Sequence, residues 1–470
     1  MLTFHSSPTG LRAGPGTSRR AFLRVGSLGL GGLSLLNTLH ASAASSITNH
    51  VARGKSVVFL FMQGGPSQTE TFDPKMTAPP GIRSETGEVS TALPGVTFAG
   101  TFPKLAALAD RLAVVRSFVT GDGRHDIKPI VSRYSLDANI GTLYSRVVGM
   151  NHPGTGIPTH VALYPQAVDE TTEPSFQKFG SFESTGSLGA GYKPFAPGAG
   201  GQLQKDLELN LPTERLLDRR RLLTELDRLR REMETNPSAM GMDRLRAQAF
   251  DSILGGVAQA FDLSQESPET IRRYDTAPLA RPDDISRKWN NHSKYVDHVK
   301  SLGKLLLLAR RMCEAGCGVV TVTTSFVWDM HADSNNAGVR EGMDYIGRPF
   351  DHAVSAFIED TVDRGLSDDI LLVACGEMGR TPRLNSRGGR DHWGGIAPLL
   401  LAGGGLRMGQ VIGRSNNDAS RPESTPLGID RLVSTILNTQ FNISELRLVP
   451  GMPADIIRLA SQAEPIPGLL

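Results

Sequence analysis

Cysteine is scarce in this chain, which has only three in 470 residues. So small and odd a number excludes a disulfide framework as the basis of the fold. Cys313 and Cys317 stand four residues apart on a predicted helix, where two buried, small apolar side chains are the expected arrangement. Cys375 follows a predicted strand, and none of the three has a sequence context that predicts catalysis.

Acidic residues are absent from the first 43 positions, which contain four arginines instead. The remainder of the chain has 46 basic against 48 acidic residues, a formal charge of −2. A nearly neutral protein offers no basic surface to a polyanion. We therefore expect no nucleic-acid partner and no polybasic attachment to a membrane.

The chain also lacks an apolar run of the length that a transmembrane helix needs. Its N-terminal apolar stretch, Val25–Leu36, follows the basic Ser18–Arg24 and precedes the small residues Ala41–Ala43. Segments of these three kinds in that order predict a twin-arginine signal peptide over residues 1–43, with a buried amphipathic helix as the alternative. We expect export to the periplasm or cell surface and no transmembrane segment in the mature protein.

Short apolar runs alternate with helical patterns along most of the remaining chain. The runs that predict buried strands are residues 55–62, 112–118, 318–324, 370–374 and 397–402. The stretches whose apolar spacing predicts helices are residues 102–110, 295–315 and 348–364. Strands that alternate with helices predict the α/β class, with a mostly parallel sheet covered on both faces, over residues 55–470.

A segment of different composition, about residues 155–291, separates the two halves of this pattern. Within it, Thr213–Glu234 has leucines at helical spacing and almost balanced charges, which predicts a solvated amphipathic helix. We expect the segment to be an insertion or a cap, and gating of a substrate is one role it could have.

Candidate metal ligands follow the predicted strands, where open α/β sheets bind their ligands. Asp329 and His331 follow the third strand, Glu377 follows the fourth, and His392 lies in a glycine-rich loop further on. An extended backbone places Asp329 and His331 on one side, and carboxylates with imidazoles can share a divalent metal. Acidic or histidine residues follow each of three successive strands. This convergence favours a metal or anion site over isolated surface hydrogen bonds.

Two further residues are candidates for a catalytic role. Arg380 could hold an anionic substrate with two hydrogen bonds, or form a salt bridge to Glu377. His125 and Asp126 follow the second strand, where they could complete the site or belong to a turn held by Asp122.

Several of these residues lie in motifs that the chain shares with a known family. The motifs are Ser18–Ser27, Phe61–Ser67, Thr71–Lys75, Trp328–His331, Gly376–Pro382 and Gly389–Trp393. On these, and over nearly its whole length, the chain resembles the family called domain of unknown function 1501, exported bacterial proteins of the alkaline-phosphatase and sulfatase-like superfamily. The resemblance implies an alkaline-phosphatase-like α/β/α sandwich with metal ligands at the carboxyl edge of its sheet.

The resemblance also implies a ligand set. By analogy Asp329, His331 and His392 bind one metal ion, and Glu377 resembles a further acidic ligand. Mixed carboxylate and imidazole ligands favour Zn²⁺ or Mn²⁺, with Ca²⁺ or Mg²⁺ as alternatives.

The nucleophile is less clearly indicated. The superfamily's nucleophile follows the second strand, where Ser117, Thr120 and His125 are the candidates by position. Its first strand is usually followed by an Asp, whereas Gln63 and Gly64 stand there in this chain. The sulfatase signature C-x-[PA]-x-R is absent, which argues against a formylglycine-dependent sulfatase.

The leading hypothesis is an exported, metal-dependent hydrolase of phosphate or sulfate esters, with an anionic ester or polysaccharide as its substrate. The alternative is a non-catalytic envelope protein of the same fold that binds an anionic polysaccharide or another surface component. Turnover of ester substrates distinguishes the two hypotheses.

Overall fold

The computed structural model describes residues 51–197, 257–449 and 452–470. A central sheet contains seven strands, which are β1 (Ser56–Phe61), β4 (Ala113–Val115), β5 (His160–Leu163), β6 (Val319–Thr323), β7 (Ile370–Cys375), β10 (Leu399–Gly403) and β11 (Gln410–Ile412). Their order is β11-β4-β10-β7-β1-β6-β5. All pair in parallel except β10, which runs antiparallel to both of its neighbours.

Two short antiparallel ribbons flank the sheet. One pairs β2 (Glu88–Ser90) with β3 (Thr97–Ala99), and the other pairs β8 (Gly379–Arg380) with β9 (His392–Trp393). The second ribbon sets Arg380 directly opposite His392. Two residues that are distant in the sequence are thereby brought together.

The helices of the described part are α1 (Pro103–Ala107), α2 (Ile140–Val148), α3 (Val257–Phe261), α4 (Pro268–Tyr274), α5 (His292–Glu314), α6 (Val339–Asp363), α7 (Ile429–Gln440), α8 (Ile443–Leu446) and α9 (Ala454–Gln462). The long α6 begins earlier than the predicted residue 348, and Pro349 lies inside it. The other predicted helices and strands are present with small differences at their ends.

Helices cover both faces of the sheet because the central strands are apolar on both. In β1, Val58 and Leu60 pack in a buried cluster with α5 and α6. Val57 and Phe59, which point the opposite way, are equally buried but outside that cluster. Helices α2 and α7 contact the sheet there. The predicted α/β sandwich with a mostly parallel sheet is confirmed.

The direction of the strands determines where the functional loops meet. The six parallel strands end at one edge, so the segments after β4, β6 and β7 all emerge there. Because β10 is antiparallel, the segment before it, with β9, reaches the same edge. Residues from four separate parts of the chain can therefore converge.

Some predictions fall partly or wholly outside the described residues. Residues 1–43 and the charged segment 213–234 lie there entirely. The insertion over residues 155–291 stays a prediction, because the middle of this range is not described. The first part of the range contributes strand β5 to the central sheet. None of the described helices is long and apolar enough to cross a membrane. All three cysteines are free and buried, which confirms the prediction made for Cys313 and Cys317.

Candidate metal centre

Four side chains converge at the carboxyl edge of the sheet. They are His125 after β4, Asp329 and His331 after β6, and His392 in β9, and their ligand atoms all lie within 4.8 Å of one another. Three of the four, Asp329, His331 and His392, were predicted as ligands of one metal. The structure adds His125 to them and leaves Glu377 outside the group.

Asp329 lies at the centre of the cluster. Its Oδ1 atom is 2.8 Å from Nε2 of His331, 3.3 Å from Nε2 of His392 and 3.5 Å from Nε2 of His125. The Asp329 side chain is only 8% exposed, whereas that of His392 is 33% exposed. The carboxylate therefore forms the floor of the site, and of the three imidazoles that of His392 reaches furthest towards solvent.

Two of the imidazoles are oriented by carboxylates behind them. Nδ1 of His125 is 2.8 Å from Oε1 of Glu377, and Nδ1 of His331 is 3.1 Å from Oδ1 of Asp391. A carboxylate accepts the Nδ1 hydrogen, which leaves the lone pair of a neutral ring on Nε2. This is the arrangement by which proteins orient histidine ligands towards a metal.

The three Nε2 atoms gather around one another and around the Asp329 carboxylate, and Nη1 of Arg380 is the one donor among these contacts, 3.3 Å from Nε2 of His331. Nε2 of His331 faces the carboxylate oxygen of Asp329, also an acceptor, and lies 2.7 Å from Nε2 of His392. Nε2 of His125 is buried and has no hydrogen-bond partner among the described residues. A divalent cation between these atoms satisfies all of them, so the donor set fits a metal ion.

Glu377 is held behind His125 by the turn that follows β1. The Glu377 side chain is fully buried, and its two oxygens accept the Gly64 N–H at 3.0 and 3.2 Å. Burial raises the pKa of Glu377, and the hydrogen bond from His125 opposes that rise. Gly64 has a φ of +113°, and a Cβ there would lie 2.6 Å from the backbone nitrogen of Asp329. Only glycine fits this close approach of the two loops.

Arg380 is engaged entirely by the protein. Its Nε donates to the Gly65 carbonyl at 2.7 Å, and its Nη2 donates to Asp329 at 2.6 Å and to the Gly64 carbonyl. Its Nη1 contacts the Arg390 carbonyl and Nε2 of His331. Of the two arrangements that the sequence left open, the ion pair is formed, but with Asp329 rather than with Glu377. The guanidinium has no donor left over for a substrate.

Charge in the site is set by these contacts. Burial tends to raise the pKa of Asp329, but Arg380 and the three histidines together hold it well below its usual range. Burial tends to lower the pKa of His125, but the neighbouring carboxylates of Asp329 and Glu377 raise it above its ordinary value. Asp329 is therefore an anion throughout the physiological range, as a metal ligand must be.

An aromatic wall borders the site on the side of His125. The ring centroid of His125 is 4.8 Å from that of Phe179 and 4.7 Å from that of Phe326, and Phe176 stacks on Phe326 at 5.0 Å. Lys294, on the first turn of α5, places its ammonium 4.4 Å from the centroid of Phe176. No sequence motif marks these residues, and Phe176 and Phe179 lie in the segment that is predicted to be an insertion, so the sequence alone did not indicate them.

The hydroxyl candidates for a nucleophile find no activating group. The side chains of Ser117 and Thr120 are buried, and neither hydroxyl has a hydrogen-bond partner among the described residues. Neither is therefore paired with a general base.

Comparisons with solved structures give distant likenesses. The PsFucS1 sulfatase from Pseudoalteromonas sp. is 13% identical, with 87% of this chain and 70% of that chain covered and a TM-score of 0.36. The phosphonate monoester hydrolase SpPMH from Silicibacter pomeroyi is 11% identical, with 87% and 77% covered and a TM-score of 0.35. At TM-scores this low, neither likeness bears on activity or substrate. No curated protein sequence matches this chain significantly.

A family model gives a much more extensive match. It is described as a protein of unknown function, DUF1501, and it matches residues 54–470. The match includes all four residues of the candidate metal cluster and confirms the resemblance that the motifs indicated. Because the model covers most of its length, this chain belongs to the DUF1501 family.

Proposed function

We propose that this protein is an exported, metal-dependent hydrolase of phosphate or sulfate esters. The observation that carries the proposal is the convergence of three imidazole Nε2 atoms and one carboxylate oxygen within 4.8 Å, at the sheet edge where α/β enzymes bind their ligands. The set is His125, Asp329, His331 and His392. Nitrogen-rich sets of this kind favour Zn²⁺, with Mn²⁺ as the next choice.

This proposal changes the roles of two residues. His125, which the sequence indicates as a catalytic candidate, is here a metal ligand, and Glu377, which the resemblance indicates as a ligand, orients His125 from behind. Arg380 acts on the site through Asp329, whose charge and position it maintains. The partly exposed rings of His331 and His392 leave one side of the site open to an ester.

A divalent cation supplies Lewis acidity, which stabilises the negative charge that develops on a transferring phosphoryl or sulfuryl group. The chain's own contribution is to fix the ligands with buried partners and to exclude water on the aromatic side. Fixed ligands and low solvent access strengthen electrostatic stabilisation in such a site.

The second candidate function is binding without catalysis. It is favoured by one observation, which is that neither Ser117 nor Thr120 has an activating base among the described residues. In that case the metal and its surroundings would serve to hold an anionic polysaccharide or another envelope component.

Turnover assays on the full-length, natively exported protein separate the two functions. We expect hydrolysis of aryl phosphate or aryl sulfate esters that stops when a chelator removes the metal and resumes when Zn²⁺ or Mn²⁺ is restored. Turnover that is insensitive to the chelator would contradict metal dependence. A metal-loaded protein that hydrolyses neither class of ester would favour the binding function.

Export is a separate part of the proposal and rests on the pattern in residues 1–43. Replacing both arginines of the pair, Arg19→Lys and Arg20→Lys, is expected to retain the protein in the cytoplasm. Immunodetection in cell fractions measures this, and unchanged export of the double variant would contradict it.

A further inference from the structure

Lys294 is an unusual lysine because it is half-buried and aromatic rings surround its charge. Its Nζ lies 4.4 Å from the ring centroid of Phe176 and 6.0 Å from that of Phe326. Such ring contacts stabilise an ammonium only weakly, by about 0.5–2 kcal/mol in typical cases. Buried lysines normally have a carboxylate partner, so an anionic partner is expected for Lys294 as well.

Within the described part of the chain, the Lys294 ammonium makes no hydrogen bond and no ion pair. The charges of Glu173 and Asp329 act on it, but neither carboxylate is within ion-pair distance. That of Glu173 accepts a hydrogen bond from Ser293 instead. Burial lowers the pKa of Lys294. A desolvated cation with three unused donors is suited to bind an external anion.

The aromatic wall connects Lys294 to the metal cluster. Phe326, which contacts the lysine, also contacts the ring of His125 at 4.7 Å. One phenyl ring thus separates the lysine from a proposed ligand. Phe176 and Phe179 are half-buried, so the wall faces both the cluster and solvent. The charge of Asp329, the central carboxylate of the cluster, acts on Lys294, so an anion held at the cluster on this side lies within the electrostatic reach of the ammonium.

We propose that Lys294 binds a negatively charged oxygen of the substrate, on its phosphate or sulfate group. This inference rests on the proposed function and adds a specificity-determining residue to it. The donors of Arg380, which also lies beside the cluster, are directed to the Asp329 carboxylate, to three backbone carbonyls and to Nε2 of His331. Lys294, whose ammonium has no such partner among the described residues, is the side chain that we assign to the selection of an anionic substrate.

Binding of inorganic phosphate and inorganic sulfate to the full-length, zinc-loaded protein tests the inference by titration calorimetry. The Lys294→Met variant keeps the length of the side chain and removes the charge, so we expect it to weaken oxyanion binding by at least about tenfold. Lys294→Arg keeps the charge and should bind within a few-fold of the wild type. Lys304→Met, on the same helix α5 and also half-buried, is the control and should leave binding unchanged.

Zinc content, measured on every sample, keeps failure of this inference separate from failure of the proposed function. Equal oxyanion binding by the wild type and Lys294→Met, both with metal bound, would overturn the role of Lys294 and leave the metal site standing. Wild-type protein that holds zinc but binds neither anion would overturn it as well. If the protein holds no metal, the proposed function fails. Even then, a loss of phosphate binding that is confined to Lys294→Met would support Lys294 as the anion-binding residue.

Discussion

Nδ1 of His125 lies 2.8 Å from Oε1 of Glu377, so a buried carboxylate stands directly behind an imidazole that faces the metal cluster. Glu377 also accepts the N–H of Gly64, which ties the end of β7 to the turn after β1. The orientation of a proposed ligand thus depends on a residue that is not itself among the converging ligand atoms.

Replacing Glu377 with glutamine should weaken metal binding without abolishing it. Carboxylates behind histidine ligands typically contribute about 10–100-fold to metal affinity. Asp391→Asn is the matched control, because Asp391 stands behind His331 in the same way but its side chain is 54% exposed. We expect the larger loss for Glu377→Gln in competition titrations with a chelator. A smaller effect for Glu377→Gln than for Asp391→Asn would contradict this role.

Replacing Arg380 with methionine should destabilise the fold as well as the site. The change deprives the buried Asp329 carboxylate of its guanidinium partner and leaves the Gly64 and Gly65 carbonyls without their donor. Breaking a buried ion pair in this way typically costs about 3–5 kcal/mol of unfolding free energy. Arg387→Met, an exposed arginine with one hydrogen bond to the Ala332 carbonyl, should cost no more than about 1 kcal/mol. Urea denaturation of the metal-free proteins measures both, and equal losses would refute the prediction.

Gly64 should not tolerate alanine. Its φ of +113° disfavours any other residue, and the added methyl would collide with the backbone of Trp328 and Asp329. Gly149→Ala is the control, since Gly149 has a φ of +100° but nothing within 4 Å of its Cβ position. The control should cost about 1–3 kcal/mol from backbone strain alone. Gly64→Ala should cost more in thermal or chemical unfolding and should also lose metal. Equal stability and equal metal content of the two variants would contradict the close approach.

Asp351 should make stability fall as the pH rises. Its buried carboxylate on α6 accepts the backbone N–H groups of Lys104 and Leu105 in α1, and burial raises its pKa to about 6. A folded acid with a raised pKa binds its proton more tightly than the unfolded chain does, so its contribution to stability is present below about pH 4 and is lost as the pH rises through about 6.

Asp351→Asn removes this titration. Between pH 4 and pH 7 the wild type should therefore lose about 2 kcal/mol of unfolding free energy relative to the variant. Urea titrations at four pH values in that range measure the difference. A difference between the two proteins that does not change with pH would contradict the prediction.

Much of the fold could be predicted because its strands are short, continuous apolar runs. The residues of β1, for example, are buried on both faces, and a run of this kind followed by glycines is typical of a central strand. The antiparallel direction of β10 could not be predicted, since it depends on pairing with β4 and β7 rather than on local pattern. That direction is what brings His392, which precedes β10, to the edge where the other strands end.

The site was predictable in its residue types but not in their arrangement. Asp329 and His331 share a strand end, so their proximity follows from sequence spacing. The sequence does not show whether the side chain of His125 or that of Glu377 faces the cluster. In the structure the Gly64 N–H, from a distant segment, donates to the Glu377 carboxylate and holds it behind His125. Lys294 lies on a helix that carries no motif, and its importance appears only once Phe176 and Phe326 pack around it.

The most direct test of the account is the metal content of full-length, natively exported protein, measured by elemental analysis beside the His331→Ala/His392→Ala double variant. His152→Ala, a histidine outside the cluster, is the control. We predict about one divalent ion per chain in the wild type and the control, with zinc predominant, and little or none in a double variant that remains folded. A wild type without stoichiometric metal, or a double variant that retains it, would contradict the central claim that these four side chains form a metal site.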